Sequence, residues 1–305
     1  MSGTTGIEWT NATWNPVTGC SKVSPGCAHC YAERLVLTRL AGRPGYPGLP
    51  WTPENAERNV VLHPDRLDLP LNWRKPRRVF VNSMSDLFHE RVPDGFVDEV
   101  FAAMMLSPQH VFQVLTKRPE RMAKWTTTQW GGVVKPWEDR GDAVRGAAFE
   151  LSFRHAVALP EPWDWPLPNV WLGTSIENDR FVGRADALRD TPAAVRFISA
   201  EPLLGPLPSL DLTGIDWLII GGESGPGARP MDPVWVRELV ERALSQCDGC
   251  VAGWDLFVFD GAVGHDEETP CTRRTAVFVK QSSGSKPGRQ GNLPGDLWAR
   301  KEYPL

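Results

Sequence analysis

Val79-Phe80-Val81-Asn82-Ser83-Met84-Ser85-Asp86 is the stretch from which the fold can be read. Three apolar residues in a row read as a buried strand, and that strand runs directly into a polar cluster. Beyond it, Val92 to Leu106 carries Phe96, Val97, Val100, Phe101 and Met104 at helical spacing, after Pro93 and with Asp94 placed to cap. The same unit recurs along the chain. Val111–Thr116 is the next strand; it ends in Thr116-Lys117-Arg118 and is followed by a short helix from Pro119. Val170–Ser175 runs into Glu177, with a helical pattern from Phe181 to Arg189. Val195–Ala200 ends at Glu201, Trp217–Gly221 runs into Gly222-Glu223-Ser224 ahead of a helix over Val234 to Ser245, and Val277–Lys280 ends beside Gln281. Strand and helix in alternation predict an α/β fold with a parallel sheet. A doubly wound sheet gathers ligands at one switch point, whereas a barrel gathers them at the C-terminal ends of its strands. Six polar strand ends therefore predict a full or partial parallel barrel.

Two stretches interrupt the pattern. Residues 125–168 are rich in Trp, Gly, Pro and charge, and residues 247–275 hold Cys247, Cys250 and Cys271; both read as insertions in a single barrel domain over residues 1–305. Hydrophobic residues at 41% and charged residues at 23% are ordinary for a globular chain, and a net charge of -4 excludes a global polycation that would bind nucleic acid nonspecifically. The run Trp73-Arg74-Lys75-Pro76-Arg77-Arg78 reads as a solvated basic face on the strand-entry side, away from the expected site. No apolar run of membrane-spanning length occurs and the opening residues lack a signal-peptide pattern, so the expectation is a cytoplasmic chain with reduced thiols and no membrane partner.

The chemistry concentrates in Cys20, Cys27 and Cys30, spaced Cys-x6-Cys-x2-Cys on a loop punctuated by Gly19, Pro25 and Gly26. Three thiolates on a tight loop can hold three irons of a 4Fe-4S cluster and leave the fourth iron open to a substrate or cosubstrate; electron-transfer clusters take four cysteines. Zinc is the rival, because structural zinc sites also use Cys-x2-Cys, but a fourth ligand is needed and His29 lies awkwardly between two of the cysteines. Three unrelated buried cysteines are the third reading, against which the Gly/Pro punctuation argues.

With the three-cysteine loop and the βα units on the page, the chain resembles the radical S-adenosylmethionine (SAM) superfamily, and within it a phage- and prophage-associated branch. The stretches that carry the resemblance are Ile7 to Cys20, Phe80 to His89, Gln113 to Pro119, Ser199 to Leu204 and Gly221 to Pro230. The resemblance implies a partial (β/α)6-type barrel. It implies that Cys20, Cys27 and Cys30 ligate the cluster, that SAM chelates the open iron through its amino and carboxylate groups, and that one electron cleaves SAM to methionine and a 5′-deoxyadenosyl radical. The first gap is three residues longer than the commonest spacing of that superfamily. His29 stands where an aromatic residue usually lies near the adenine, with Tyr31 just after. Asn82, Ser83 and Ser85, in the loop after the strand Val79–Val81, match by position the binders of the SAM amino group, which that superfamily places after its second strand; a helix cap is the plain alternative for such residues. Ser175 and Glu177 are candidates for the SAM ribose or substrate, and Glu201, Gly222 and Glu223 complete the expected cofactor-binding set. Lys117 and Arg118, as paired cations, suit a carboxylate or phosphate. Cys247, Cys250 and Cys271, with His265 nearby, are compatible with zinc, an auxiliary cluster or free thiols, and the family pattern does not require them.

The function expected from these readings is an enzyme that starts radical chemistry, an isomerase- or lyase-like rearrangement among the candidates, with a modified nucleotide or a thymine in phage DNA as the substrate class and a reductant protein as electron donor. The alternative is a noncatalytic, zinc-stabilised binding protein.

Overall fold

The computed structural model describes residues 5–127, 138–161, 164–245, 258–259, 262–263 and 275–304. Seven parallel strands form the central sheet: β1 (Ala12–Trp14), β2 (Arg78–Val81), β3 (Val111–Thr116), β4 (Val170–Ser175), β5 (Val195–Ala200), β6 (Trp217–Gly221) and β7 (Ala276–Gln281). Their order across the sheet is their order in the chain, each strand pairing with the next. That sequential order is the winding of a barrel and not of a doubly wound sheet. The sheet curls into a half barrel, and among the described residues its edge strands β1 and β7 do not pair.

Six of these strands fall where the apolar runs place them. The seventh, β1, is three residues long and lies inside the segment that the sequence marks only as a motif. The helix after β2 spans Asp94–Met105 with Pro93 at its N-cap, so Asp94 opens the first turn instead of capping it, and its carboxylate meets Arg121 at 2.9 Å. Helices Pro119–Thr126, Arg184–Arg189 and Pro233–Ser245 occupy the other predicted positions.

Side chains alternate between the two faces of the strands. Val79, Val81, Phe112, Val114, Leu172, Ile198, Leu218, Ile220, Val277 and Val279 join the helices in one large core. Phe80, Phe197, Trp217, Ile219 and Phe278 point the other way and, with Trp9, form a second apolar cluster inside the curl. Gly173 is demanded by that interior: a Cβ there would stand 2.5 Å from the ring of Phe197. At the N-terminal strand ends Tyr303 closes the curl, its ring 5.4 Å from both Trp217 and Phe278, with the Arg78 guanidinium 3.9 Å above it. Arg77 likewise lies over Trp73, so the basic run is partly stacked on aromatic rings at the end of the sheet remote from the cysteines.

Part of the first insertion is a packed element. Glu138–His155 is a helix, and Arg140 grips Asp98 of the helix Asp94–Met105 at 2.7 and 3.0 Å. Cys247, Cys250, Cys271 and His265 lie outside the described residues. No helix among the described residues is long and apolar enough to cross a membrane.

Candidate functional site

A cavity of about 260 Å³ opens at the C-terminal ends of the strands. A second recorded cavity, against Trp125 and Trp165, is about 10 Å³, no more than a single water can use. Cys20, Cys27 and Cys30 all face the large cavity. So do His29, Tyr31, Asn82, Ser83, Ser85, Ser175, Glu201, Gly222 and Glu223, which come from five separate stretches of the sequence to one rim. Trp9 and Phe80 also line it, and Lys280 and Gln281 complete the rim at the end of β7.

The cysteine loop is built on Gly19. Its φ is +82°, and a Cβ there would lie 1.8 Å from the Asn59 carbonyl oxygen, so only glycine lets the chain turn into Cys20 at this point. The Gly19 amide donates to the Met84 carbonyl at 2.9 Å, which joins the start of the loop to the segment after β2. Cys30 caps the helix Tyr31–Thr38.

Each sulfur has a polar neighbour. Arg118 Nη1 donates to Cys20 Sγ at 3.6 Å. Ser24 Oγ lies 3.8 Å from Cys27 Sγ. Cys30 stands at the N-cap, where the first backbone N–H groups of the helix, those of Ala32 and Glu33, favour its thiolate. Burial, and next the Asp86 charge, push the free Cys20 thiol up to about 12, with Arg118 acting in the opposite sense. Burial also raises Cys30 against the helix amides. Both are therefore thiols until a metal displaces their protons. Among the described residues no three His, Cys, Asp or Glu side chains are grouped to hold one metal ion. A cluster distributes its cysteines over separate irons, so it asks for donors spread around a loop, and three cysteine sulfurs with nearby donors suit it chemically.

Glu177 differs from its sequence reading. It is fully buried and does not line the cavity. Its Oε1 accepts the Gly26 amide at 3.2 Å and its Oε2 accepts from Arg184 at 3.0 Å. Burial works to raise this carboxyl, but the Lys117 charge, Ser24, Arg184 and the Gly26 amide outweigh it and hold it below the ordinary carboxylate value. The reason for the difference is side-chain direction: a position just past a strand end fixes the backbone, not which way the carboxylate turns. On the opposite side, Glu223 accepts from the Arg229 amide and Nε at 2.9 and 3.0 Å and pairs with His29 Nδ1 at 2.9 Å, while Arg229 Nη2 donates to the Pro25 carbonyl at 3.1 Å. His29 is thus held by a carboxylate through Nδ1.

Asn82 has φ +60°, the left-handed region that Asn tolerates better than most residues. Its Oδ1 accepts the Val17 amide at 3.3 Å, and its buried Nδ2 has no acceptor among the described residues. Ser83 donates to Asn15 Oδ1 at 3.2 Å and Ser85 to the Val17 carbonyl at 2.8 Å, so both hydroxyl oxygens keep lone pairs for an incoming donor. Glu201 receives Ser199 at 3.2 Å and stands 2.9 Å from the Lys280 ammonium. Gly222 donates to the Gln281 carbonyl at 2.9 Å. The pair Lys117–Arg118 is divided. Lys117 lines the cavity and has no ion pair among the described residues, whereas Arg118 is engaged by Asp86, Glu90, Ser21 and Cys20.

A family model described as "Protein of unknown function (DUF5131)" matches residues 4–254. The chain belongs to the DUF5131 family. No curated protein and no solved structure matches it. The DUF5131 match runs from before β1 to past the helix Pro233–Ser245, so it takes in the cysteine loop and every strand end except that of β7. Lys280 of β7, and the Arg118–Cys20 contact inside the matched region, escaped the sequence reading. In the sequence the first is only a strand end, and nothing in the spacing of residues 20 and 118 announces the second.

Proposed function

We propose that this DUF5131 member is a radical SAM-type enzyme in which Cys20, Cys27 and Cys30 would hold a 4Fe-4S cluster and SAM would bind beside it in the strand-end cavity. One observation carries the reading: the three cysteines face the cavity of about 260 Å³ in a parallel half barrel, each with polar groups near its sulfur, on the side of the sheet where such folds gather their chemistry. When bound, the cluster supplies the electron that cleaves SAM reductively.

The chain's own groups would bind and orient the cofactor. Ser83 and Ser85 offer hydroxyl oxygens to an ammonium, and Lys117 offers an ammonium to a carboxylate. Trp9 and Phe80 give the cavity an apolar wall that limits water around the reacting groups. Glu177 and Arg229 would contribute by holding the cysteine loop, from β4 and from beyond β6 respectively. The nucleotide or DNA substrate and the reductant protein come forward from the resemblance as part of the same proposal.

The zinc alternative would need a fourth donor beside the three cysteines, for which His29 keeps Nε2 while Nδ1 is paired with Glu223. Iron, sulfide and zinc analysis of anaerobically purified protein tests the proposal. About four irons and four sulfides per chain are expected for one 4Fe-4S cluster. Stoichiometric zinc without sulfide would establish the binding-protein reading instead. Substrate class is tested by incubating loaded protein with SAM, reductant and nucleosides or DNA, and following transfer of hydrogen into deoxyadenosine.

A further inference from the structure

Arg118 is the most heavily engaged cation at the site, and its partners are unequal. Nε donates to Glu90 at 2.9 Å; Nη1 donates to Asp86 at 3.1 Å and to Cys20 Sγ at 3.6 Å; Nη2 donates to the Ser21 carbonyl and hydroxyl, each at 3.1 Å. These contacts use all five guanidinium N–H groups. The side chain is 6% exposed, so its charge acts where water screens it least.

The surroundings fix this geometry. Asp86 accepts Thr116 Oγ1 at 2.7 Å, the Phe88 amide at 3.0 Å and the Lys117 amide at 3.0 Å in addition to Arg118, so it cannot turn away from the guanidinium. His89 Nδ1 accepts the Arg91 amide, so Nε2 carries the proton and donates to Ser21 Oγ at 2.9 Å. Ser21 Oγ then receives both His89 and Arg118. The residue after Cys20 is locked to the same cation as the Cys20 sulfur. Of the three cysteines, Cys20 alone has a full positive charge donating to its sulfur; Cys27 has a hydroxyl beside it and Cys30 stands at a helix N-cap.

We infer that Arg118 is a positioning residue that fixes Cys20 and raises the reduction potential of the cluster through its charged N–H···S contact; this rests on the cluster reading of the three cysteines. Reduction adds one electron to the cluster, supplied in the test by an external chemical reductant, and no bond is made or broken. A fixed cation at a ligand sulfur stabilises the more negative, reduced form, so the potential rises. Asp86, buried on the same guanidinium, works in the opposite sense, and so does Glu90 on its far edge, weakened because it is 64% exposed.

The test is a potentiometric titration of the anaerobically reconstituted protein without SAM, followed by the electron paramagnetic resonance signal of the reduced cluster, with iron and sulfide measured on each sample. Arg118→Gln should load the cluster and titrate at a more negative midpoint. Arg118→Lys, which keeps the charge, should lie between it and the wild type. Glu90→Gln should shift the midpoint the other way, by a smaller amount. A loaded Arg118→Gln that titrates with the wild type overturns the inference while leaving the cluster intact. If Arg118→Gln yields no loaded protein, Glu90→Gln decides alone, and an unshifted midpoint there overturns it. Wild-type protein that takes up no iron and sulfide overturns the cluster reading itself, and this inference with it.

Discussion

Glu177 Oε1 accepts the amide hydrogen of Gly26 across 3.2 Å, tying the end of β4 to the middle of a cysteine loop 151 residues earlier in the chain. The bond makes the loop part of the barrel. Its other carboxylate oxygen holds Arg184, so a single buried anion serves both the loop and the helix that follows the strand.

Glu177→Ala should therefore act on stability. It leaves Arg184, itself nearly buried, without its counter-ion and the Gly26 amide without an acceptor. Breaking a buried pair by removing one partner costs about 3–5 kcal/mol. Urea denaturation should show a lowered midpoint, with Glu177→Gln recovering part of the loss. A wild-type midpoint in the alanine variant would mean that the loop does not depend on this clamp.

Cys27→Ala should leave a folded chain that carries no 4Fe-4S absorbance and does not cleave SAM. The loop is held by Glu177, Arg229 and the Gly19–Met84 bond and not by metal alone, unlike a zinc finger that unfolds without its ion. Circular dichroism checks the fold, and iron and sulfide analysis checks the cluster. Full loading in the variant would show that Cys27 is not a ligand.

Ser83→Ala should weaken SAM binding while keeping cluster content. A hydroxyl oxygen that accepts from an ammonium makes a charge-assisted bond, and losing one such bond costs about 1.5–3 kcal/mol, roughly 10- to 100-fold in affinity. Calorimetry on reconstituted protein measures it. Unchanged affinity in both Ser83→Ala and Ser85→Ala would move the amino group of SAM off this loop.

The Glu223–Arg229 pair predicts a pH dependence. Burial works to raise the Glu223 carboxyl, but hydrogen bonds from Arg229 and His29 outweigh it and hold it at about 2, below an unfolded value of 4.5. A depressed acid contributes stability that is fully present above its unfolded value and is lost as pH falls through its folded one. The stability advantage of wild type over Glu223→Gln should thus be constant near neutrality and shrink between pH 4.5 and about 2. Paired thermal melts across that window test it, and an advantage independent of pH would refute the linkage.

Gly173→Ala should destabilise the barrel interior, because the new methyl would meet the Phe197 ring at 2.5 Å. Overpacking of this kind costs about 1–3 kcal/mol, read as a lower melting temperature. An unchanged melting temperature would show that Phe197 can move aside.

Most of the half barrel was legible because its strands are buried on both faces and so appear as unbroken apolar runs such as Trp217–Gly221. β1 escaped because three residues flanked by Asn11 and Asn15 make too short a pattern. The rim was legible as positions and much less as contacts. Glu177 and Glu201 stand in similar places after β4 and β5, yet one turns away to the cysteine loop and the other lines the cavity beside Lys280. The buried bonding of Arg118 to Cys20 and Asp86 was equally hidden, since it depends on three side chains from separate loops meeting in space.

Because strand order in the sheet equals strand order in the chain, the cavity rim is an ordered circuit: the cysteine loop, then the segments after β2, β3, β4, β5, β6 and β7 in turn. Exchanging one segment re-tools one sector of the rim and leaves its neighbours in place, so specificity can be varied modularly. Among the exceptions are three chords that cross the circuit, Glu177 to Gly26, Glu223 to His29 and Arg118 to Cys20. All three end on the cysteine loop. A graft at the ends of β3, β4 or β6 would therefore have to carry a matching cysteine loop with it, and one at the end of β5 would have to carry the end of β7, since Glu201 and Lys280 pair across β6.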